Sequence, residues 1–262
     1  MKTLERITVY PIKSLDGIDL NKVEITQGGS LRFDREFALI DEDGKFINGK
    51  KFGQIHLIRS IYYLNERLVE FSIVKENFKK IFHLEKEKVE IEKFFSGFLE
   101  KKVTFHRNKE NGFPDDLSAS GPTVVSSASL EEVAKWFPNI LVEELYRRFR
   151  PNLLITNTPV FWEDNLFGEK GEEKHFQIGD FRFIGMNPCA RCAVPTKNPV
   201  TGEAISSFQK HFAEMRKSTL PEWSNVSQFD HYYRFCVNTK ISRAKAGKFL
   251  SVGDVVLLQP QY

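Results

Sequence analysis

Cysteine, tryptophan and methionine are scarce in this sequence, with three of each in 262 residues. Three cysteines in a chain of this length do not build a disulfide framework. No stretch approaches the roughly 18 consecutive apolar residues that cross a bilayer. No apolar core follows residues 1–6, so a signal peptide is not predicted either. We therefore expect a cytoplasmic protein of a reducing compartment that does not enter a membrane.

A strong excess of one charge is also absent. The 38 Lys and Arg residues face 35 Asp and Glu residues, which leaves a net charge of +3. Because the two signs are interspersed along the chain, nothing in the sequence demands nucleic acid as a partner. The length suffices for one large domain or two smaller ones.

Alternating apolar residues predict a strand-rich first part of the chain. The predicted strands lie at residues 4–11, 37–40, 58–64 and 68–74. Few helical periods interrupt them, which favours a small barrel or sandwich. A polar, turn-prone segment at 108–122 then separates this part from the rest. We predict an N-terminal β-barrel-like domain over residues 1–111 and a second domain over residues 112–262.

Helices and strands are mixed in the second part. Ser129 and Glu132 have the spacing of a capping box, which predicts a helix over 129–136. A second short helix over 141–149 must stop at Arg150, because Pro151 disfavours helical geometry at the residue before it. Further predicted elements are a strand at 152–156, a hairpin at 175–185 turning at Gly179-Asp180, a helix at 208–217, and strands at 229–241 and 249–258, the latter broken at Gly253-Asp254. The predicted fold class is a strand-rich α+β protein.

Two of the three cysteines, Cys189 and Cys192, flank Arg191 in a Cys-x-x-Cys motif. A thioredoxin-like site is disfavoured, since turn residues at 198–202 rather than a helix follow the motif. A structural zinc site needs four ligands, usually in paired spacing, and only Cys236 and scattered histidines remain. Two interpretations stay open at this point. Either one thiolate binds a soft metal beside the positive potential of Arg191, or both cysteines pack as small apolar residues.

Three basic residues, Lys13, Arg35 and Arg150, stand where predicted strands end or begin. Cations at such positions are well placed to bind an anion. The alternative is a set of local ion pairs: Lys13 with Asp16, Arg35 with Asp34 or Glu36, and Arg150 with Glu143 or Glu144.

Motifs along nearly the whole chain, in a fixed order, carry a resemblance to a known family. They are Tyr10-Pro11-Ile12-Lys13-Ser14, Asp34-Arg35, Phe149-Arg150-Pro151-Asn152, Pro188-Cys189-Ala190-Arg191-Cys192 with Thr196 and Pro199-Val200-Thr201-Gly202, and Val252-Gly253-Asp254-Val255-Val256. The chain resembles the MOSC proteins with an N-terminal β-barrel domain, a family that includes the mitochondrial amidoxime-reducing component and its bacterial relatives. The resemblance implies that the second predicted domain is a MOSC domain, a β-barrel with short helices.

The resemblance also implies a site for the molybdenum cofactor, a molybdopterin that carries molybdenum. It assigns the metal ligand, and with it a catalytic role, to Cys192. The pterin and its phosphate would be held by residues that match basic and polar positions of the family: Lys13, Ser14, Arg35, Arg150, Asn152 and Arg191. Asp164 lies near an acidic position of the family and is a candidate catalytic or substrate-side residue. The chain departs from the family pattern at Asn198 and over 208–225. Of the family's properties, substrate preference is therefore the one that the resemblance least predicts for this chain.

The implied reaction is the two-electron reduction of an N-hydroxylated or N-oxygenated small molecule. A plant-type iron–sulfur cluster needs four cysteines, and no Gly-x-Gly-x-x-Gly marks a dinucleotide fold. We expect an external electron donor, either a ferredoxin or a cytochrome b5-like protein with its reductase. Two alternatives stay open: sulfur transfer, as in the MOSC part of molybdenum cofactor sulfurases, and non-catalytic carriage of the cofactor. The sulfurases also use a pyridoxal-phosphate domain that this chain is too short to contain.

Overall fold

The computed structural model describes residues 1–241 and 248–258. These residues form four α-helices and fifteen strands, which confirms the predicted strand-rich α+β class. The strands are β1 (Thr3–Val9), β2 (Ile18–Leu20), β3 (Lys22–Glu24), β4 (Phe37–Asp41), β5 (Ile58–Tyr63), β6 (Leu68–Ile73), β7 (Lys79–His83), β8 (Val103–Arg107), β9 (Val124–Ser126), β10 (Leu153–Thr156), β11 (Lys174–Ile178), β12 (Phe181–Ala190), β13 (Arg234–Ile241), β14 (Phe249–Ser251) and β15 (Val256–Leu258). The helices are α1 (Lys88–Leu99), α2 (Ser127–Trp136), α3 (Val142–Phe149) and α4 (Phe208–Ser218).

The main sheet has eight strands in the order β15-β11-β12-β13-β9-β10-β1-β2. Strand β1 pairs antiparallel with β10, with Ile7 opposite Leu153. The first two strands therefore belong to a sheet that is otherwise built from the second half of the chain. The domain division at residue 111 stays a prediction.

Two smaller sheets, β5-β6-β7 and β4-β8, form most of the remaining first half. Helix α1 lies among them, and the sequence analysis did not predict it. The helix buries Ile91, Phe95 and Leu99, which recur every four residues and so occupy one helical face. That face packs into the apolar core shared by both halves of the chain.

Helix α2 begins earlier than the predicted capping box at Ser129. Its N-cap is Ser126, whose side chain accepts a hydrogen bond from the Ser129 backbone N–H at 3.2 Å. The Ser129 hydroxyl is used elsewhere, since it donates to Glu163 at 2.8 Å. Helix α3 ends as predicted, because Arg150 leaves the helix with a left-handed backbone, φ 52°, just before Pro151.

The predicted hairpin at 175–185 is present as β11 and β12, and its turn falls at Gly179-Asp180. Strand β12 continues into Cys189, with two register shifts against β13 on the way. The predicted strand at 229–241 begins only at Arg234, and the predicted strand at 249–258 is divided into β14 and β15. No helix in the described ranges is long and apolar enough to span a membrane.

Candidate functional site

A cleft of about 1370 Å³ opens where both halves of the chain meet. It is lined by every predicted site residue except Asp164: Lys13, Ser14, Arg35, Arg150, Asn152, Arg191 and Cys192. Residues separated by more than half of the sequence are thus brought to one cavity, as a shared ligand site requires.

The pairing of β1 with β10 explains part of this convergence. In an antiparallel pair, the end of one strand lies beside the start of the other. Lys13 and Ser14 follow β1, while Arg150 and Asn152 precede β10, so the two loops meet at one edge of the sheet. Asn152 joins them directly, since its side-chain amide donates to the Thr8 carbonyl at 3.0 Å.

Three of the predicted site residues have a left-handed backbone conformation. The φ angles are 74° at Ser14, 50° at Arg35 and 52° at Arg150. In residues other than glycine, such conformations cost about 1–3 kcal/mol and cluster at functional sites. At Arg35 the conformation is held by a 2.8 Å hydrogen bond from its N–H to the Tyr10 carbonyl.

Of the three basic residues predicted at strand ends (Lys13, Arg35 and Arg150), the first two have acidic partners. Arg35 forms an ion pair with its neighbour Asp34 at 2.5 Å, as the local alternative predicted. Lys13 does not pair with Asp16. Its ammonium group instead contacts Asp115 at 2.5 Å and donates to the Phe113 carbonyl at 2.9 Å. Burial lowers the pKa of Lys13, and the positive charge of Arg35 lowers it further, although Asp115 opposes both effects.

Arg150 differs from the other two cations. Within residues 1–241 and 248–258, its guanidinium makes no hydrogen bond or ion pair, and its Cζ atom lies 4.0 Å from the centre of the Tyr10 ring. Its expected partner Glu144 binds Arg148 instead, at 2.7 Å. Burial lowers the pKa of Arg150, and the nearby charge of Arg35 acts in the same direction. The cleft therefore contains a guanidinium whose positive charge and N–H donors are not used by the described residues and are available to bind an anion.

The two cysteines of the motif have different surroundings. Cys192 is exposed in the cleft, and its sulfur accepts a hydrogen bond from the Val194 N–H at 3.5 Å. Cys189 is half-buried and accepts a hydrogen bond from Arg191 Nη1 at 3.1 Å. The interpretation that both cysteines pack in the apolar core does not hold for Cys192, because an exposed thiol is open to a ligand.

Arg191 connects the cysteine motif to helix α3. One of its terminal nitrogens donates to Cys189 and the other to the Phe149 carbonyl, which is at the end of α3. Burial lowers the pKa of Arg191, but the neighbouring Cys189 and Cys236 outweigh burial and raise it. Arg191 thereby links the cysteine loop to the residue that precedes Arg150.

Asp164, the remaining predicted site residue, lies away from the cleft lining. It is 2% exposed, and its carboxylate accepts hydrogen bonds from Arg216 and from the Ser224 hydroxyl. A carboxylate that is buried and paired in this way stabilises the fold around α4. Its position gives no support to a catalytic or substrate-side role.

Sequence reasoning assigned no role to three residues of the cleft wall: Tyr10, His56 and Asp115. The Nε2 atom of His56 is buried without a hydrogen-bond partner in the described part of the chain. Burial, with the charge of Lys197, lowers the pKa of His56 to about 4, so the imidazole is neutral near pH 7. Tyr10 belongs to the motif at residues 10–14 but received no role of its own there, whereas no spacing or motif marks His56 or Asp115, whose contacts come from distant segments.

Metal-binding clusters were sought throughout residues 1–241 and 248–258. No group of three or more His, Cys, Asp or Glu side chains is arranged to hold an ion.

Two family models match the chain. The MOSC N-terminal beta barrel domain matches residues 1–144, and the MOSC domain matches residues 119–257.

The curated relatives fall into two groups. The chain is 25% identical over 241 residues to mitochondrial amidoxime reducing component 2 of Bos taurus, covering 76% of this chain and 68% of that protein. The human protein of the same name is 25% identical over 243 residues, with the same two coverages, 76% and 68%. The molybdenum cofactor sulfurase of Caenorhabditis elegans is 24% identical over 227 residues, covering 79% of this chain but 30% of that protein.

Proposed function

The chain belongs to the MOSC family, and on that premise we propose that it is a molybdenum-cofactor-dependent reductase of N-hydroxylated or N-oxygenated small molecules. The observation that carries the proposal is Arg150, a guanidinium that meets no counter-ion among residues 1–241 and 248–258 and lies in the same cleft as the exposed thiol of Cys192. The relatives named amidoxime reducing component support the choice of reaction.

The donor set of the cleft fits this cofactor. Thiolate is a soft ligand suited to a thiophilic metal, and we assign the metal to Cys192, the cysteine that the family resemblance implies and the more exposed of the two. Arginine and lysine bind phosphate through charge-assisted hydrogen bonds, which assigns the pterin phosphate to Arg150, Arg35 and Lys13. Ser14, Asn152 and Arg191 are the remaining predicted pterin contacts on the same wall.

When bound, the cofactor supplies a metal centre that takes up the oxygen of an N–O bond and provides two electrons. The overall reaction is R–NHOH + 2 e⁻ + 2 H⁺ → R–NH₂ + H₂O. The chain's own side chains would bind and orient the cofactor. Cys192 would be the metal ligand, and Arg150, Arg35 and Lys13 would bind the pterin phosphate. Three cysteines are too few for a plant-type iron–sulfur cluster. We therefore assign the supply of electrons to a separate protein, a ferredoxin or a cytochrome b5-like protein with its reductase.

Sulfur transfer is the second candidate function. It is favoured by the similarity to molybdenum cofactor sulfurases and by Cys189, a second thiol in the cleft wall, whose sulfur accepts a hydrogen bond from Arg191. In that function a cysteine persulfide would be the active species, and the chain would take its sulfur from a persulfide-bearing donor.

Metal and pterin analysis, followed by turnover, separates these functions. The chain would be expressed in a host that makes the cofactor, and molybdenum and pterin would be measured in the purified protein. An N-hydroxylated substrate would then be added with a chemically reduced viologen. We expect about one molybdenum per chain and formation of the amine. Molybdenum without turnover would favour a cofactor carrier, and protein-bound sulfane sulfur without turnover would favour sulfur transfer.

A further inference from the structure

The ring of Tyr10 lies against two arginines of the cleft, Arg150 and Arg35. Its centroid is 4.0 Å from Arg150 Cζ and 5.5 Å from Arg35 Cζ. Tyr10 is 3% exposed and belongs to the cleft wall. One buried aromatic ring thus contacts the two guanidinium groups that we assign to the phosphate.

Hydrogen bonds hold this ring in place from the two loops that carry the arginines. The Tyr10 backbone N–H donates to Asp34 Oδ1 at 2.9 Å, beside Arg35. The Tyr10 hydroxyl donates to the Pro151 carbonyl at 3.1 Å, beside Arg150. The ring is therefore fixed relative to both arginines before any ligand is bound.

An aromatic face attracts a guanidinium without consuming its hydrogen-bond donors. A carboxylate in the same place would neutralise the charge and occupy the N–H groups. Arg150 meets no carboxylate among the described residues, so the ring of Tyr10 is its main support. This arrangement leaves both the charge and the donors of Arg150 available to an anion.

We propose that Tyr10 is a positioning residue, which orients Arg150 and Arg35 so that they bind a phosphate group. This inference rests on the proposed function, because it takes the phosphate of the pterin as the natural ligand. The ring face makes the contact with both guanidinium groups, and the hydroxyl bond to Pro151 only helps to hold the ring, so phenylalanine should largely replace tyrosine and an aliphatic residue should not.

The test measures binding of inorganic phosphate to the full chain, purified from a host that lacks the cofactor. We expect Tyr10→Leu to weaken phosphate binding about tenfold, and Tyr10→Phe to stay within about twofold of the unmodified chain. Phe71→Leu is the matched control, since Phe71 is fully buried in an aromatic cluster outside the cleft. It removes a comparable ring and should leave phosphate affinity unchanged.

A second readout is the pterin content of the same variants made in a cofactor-competent host. The pterin content should fall in Tyr10→Leu and return to nearly the normal level in Tyr10→Phe. If only the hydroxyl group of Tyr10 mattered, the pterin content would fall in both variants. If Tyr10→Leu does not fold, Tyr10→Met is measured instead, because methionine fills space but offers no aromatic face.

The outcomes separate this inference from the function on which it rests. Equal phosphate affinity in Tyr10→Leu and the unmodified chain, with affinity lost in Arg150→Ala, overturns the role of Tyr10 alone. Loss of affinity in Tyr10→Phe as large as in Tyr10→Leu also overturns it. An unmodified chain that binds no phosphate overturns both the positioning role and the proposed phosphate site.

Discussion

Arg150 in the cleft and Arg216 in helix α4 make the same aromatic contact but differ in their counter-ions. Arg216 Cζ lies 3.9 Å from the centre of the Phe161 ring, much as Arg150 lies 4.0 Å from Tyr10. Arg216 is 2% exposed and forms an ion pair with Asp164. Arg150 has no ion pair within the described residues. An arginine with a buried carboxylate stabilises the fold, whereas an arginine without one is available to a ligand.

The two regions should therefore respond differently to mutation. Changes in the Arg216 region, which comprises Glu163, Asp164 and Arg216, should act on the stability of the fold. Changes in the cleft should act on ligand binding and leave the stability largely intact. Four predictions test this difference, in order of decreasing effect.

The largest effect is expected at Cys192 in the cleft. Cys192→Ala should lose molybdenum and reductase activity altogether, while its unfolding transition stays that of the unmodified chain, because an exposed side chain contributes little to the core. Elemental analysis and thermal unfolding check this prediction. Cys189→Ala is the matched control and should retain at least part of the metal. The reverse pattern would assign the ligand to Cys189.

In the Arg216 region, Asp164→Ala should reduce the free energy of unfolding by about 3–5 kcal/mol, because it leaves a buried charge on Arg216 without its partner. Urea unfolding measures this change. Molybdenum content per folded molecule should stay normal, since Asp164 does not line the cleft. A folded, stable Asp164→Ala protein that has lost its activity would restore Asp164 as a catalytic candidate.

The pH dependence of stability should also originate in the Arg216 region. Burial, with the charge of Asp164, raises the pKa of Glu163 from 4.5 to about 7. The folded protein then keeps a proton that the unfolded chain has already released, so the stabilisation is complete below about pH 4.5 and is lost as the pH rises to about 7. The loss is on the order of 3 kcal/mol.

Unfolding in urea at several pH values checks this dependence, with Glu163→Gln as the control. Glutamine keeps the shape of the side chain but cannot release the proton, so its stability should change less between pH 4.5 and 7. Identical pH profiles for both proteins would show that Glu163 does not titrate in this range.

The smallest effect in free energy is expected at Arg150. Arg150→Ala removes a charge-assisted contact worth about 1.5–3 kcal/mol, so cofactor occupancy should fall roughly ten- to a hundredfold at limiting cofactor. Stability should hardly change, because no carboxylate loses its partner. Pterin content measures the occupancy, and Arg32→Ala, which changes an exposed arginine outside the cleft lining, is the control. Equal occupancy in the unmodified chain and an Arg35→Ala/Arg150→Ala variant would show that these arginines are structural.

Local sequence patterns predicted most of the secondary structure but not all of it. Alternating apolar residues located β1, β4, β5 and β6, and Pro151 correctly marked the end of α3. Helix α1 was missed because its charged outer face and strand-like neighbours concealed its helical period. The capping box at Ser129 was wrong because Ser126, with the same chemistry, lies where β9 delivers the chain into the helix.

The sequence by itself determined the strand-rich fold class and, through the resemblance carried by collinear motifs, predicted seven residues that line the cleft. The tertiary structure alone decided which charges are neutralised. Lys13 pairs with Asp115 from a distant loop, Asp164 is held by Arg216, and Arg150 meets an aromatic ring. Such pairings depend on strand register and on the packing of remote segments. Local propensity and motif spacing do not encode them, because each residue's own sequence neighbours are compatible with either outcome.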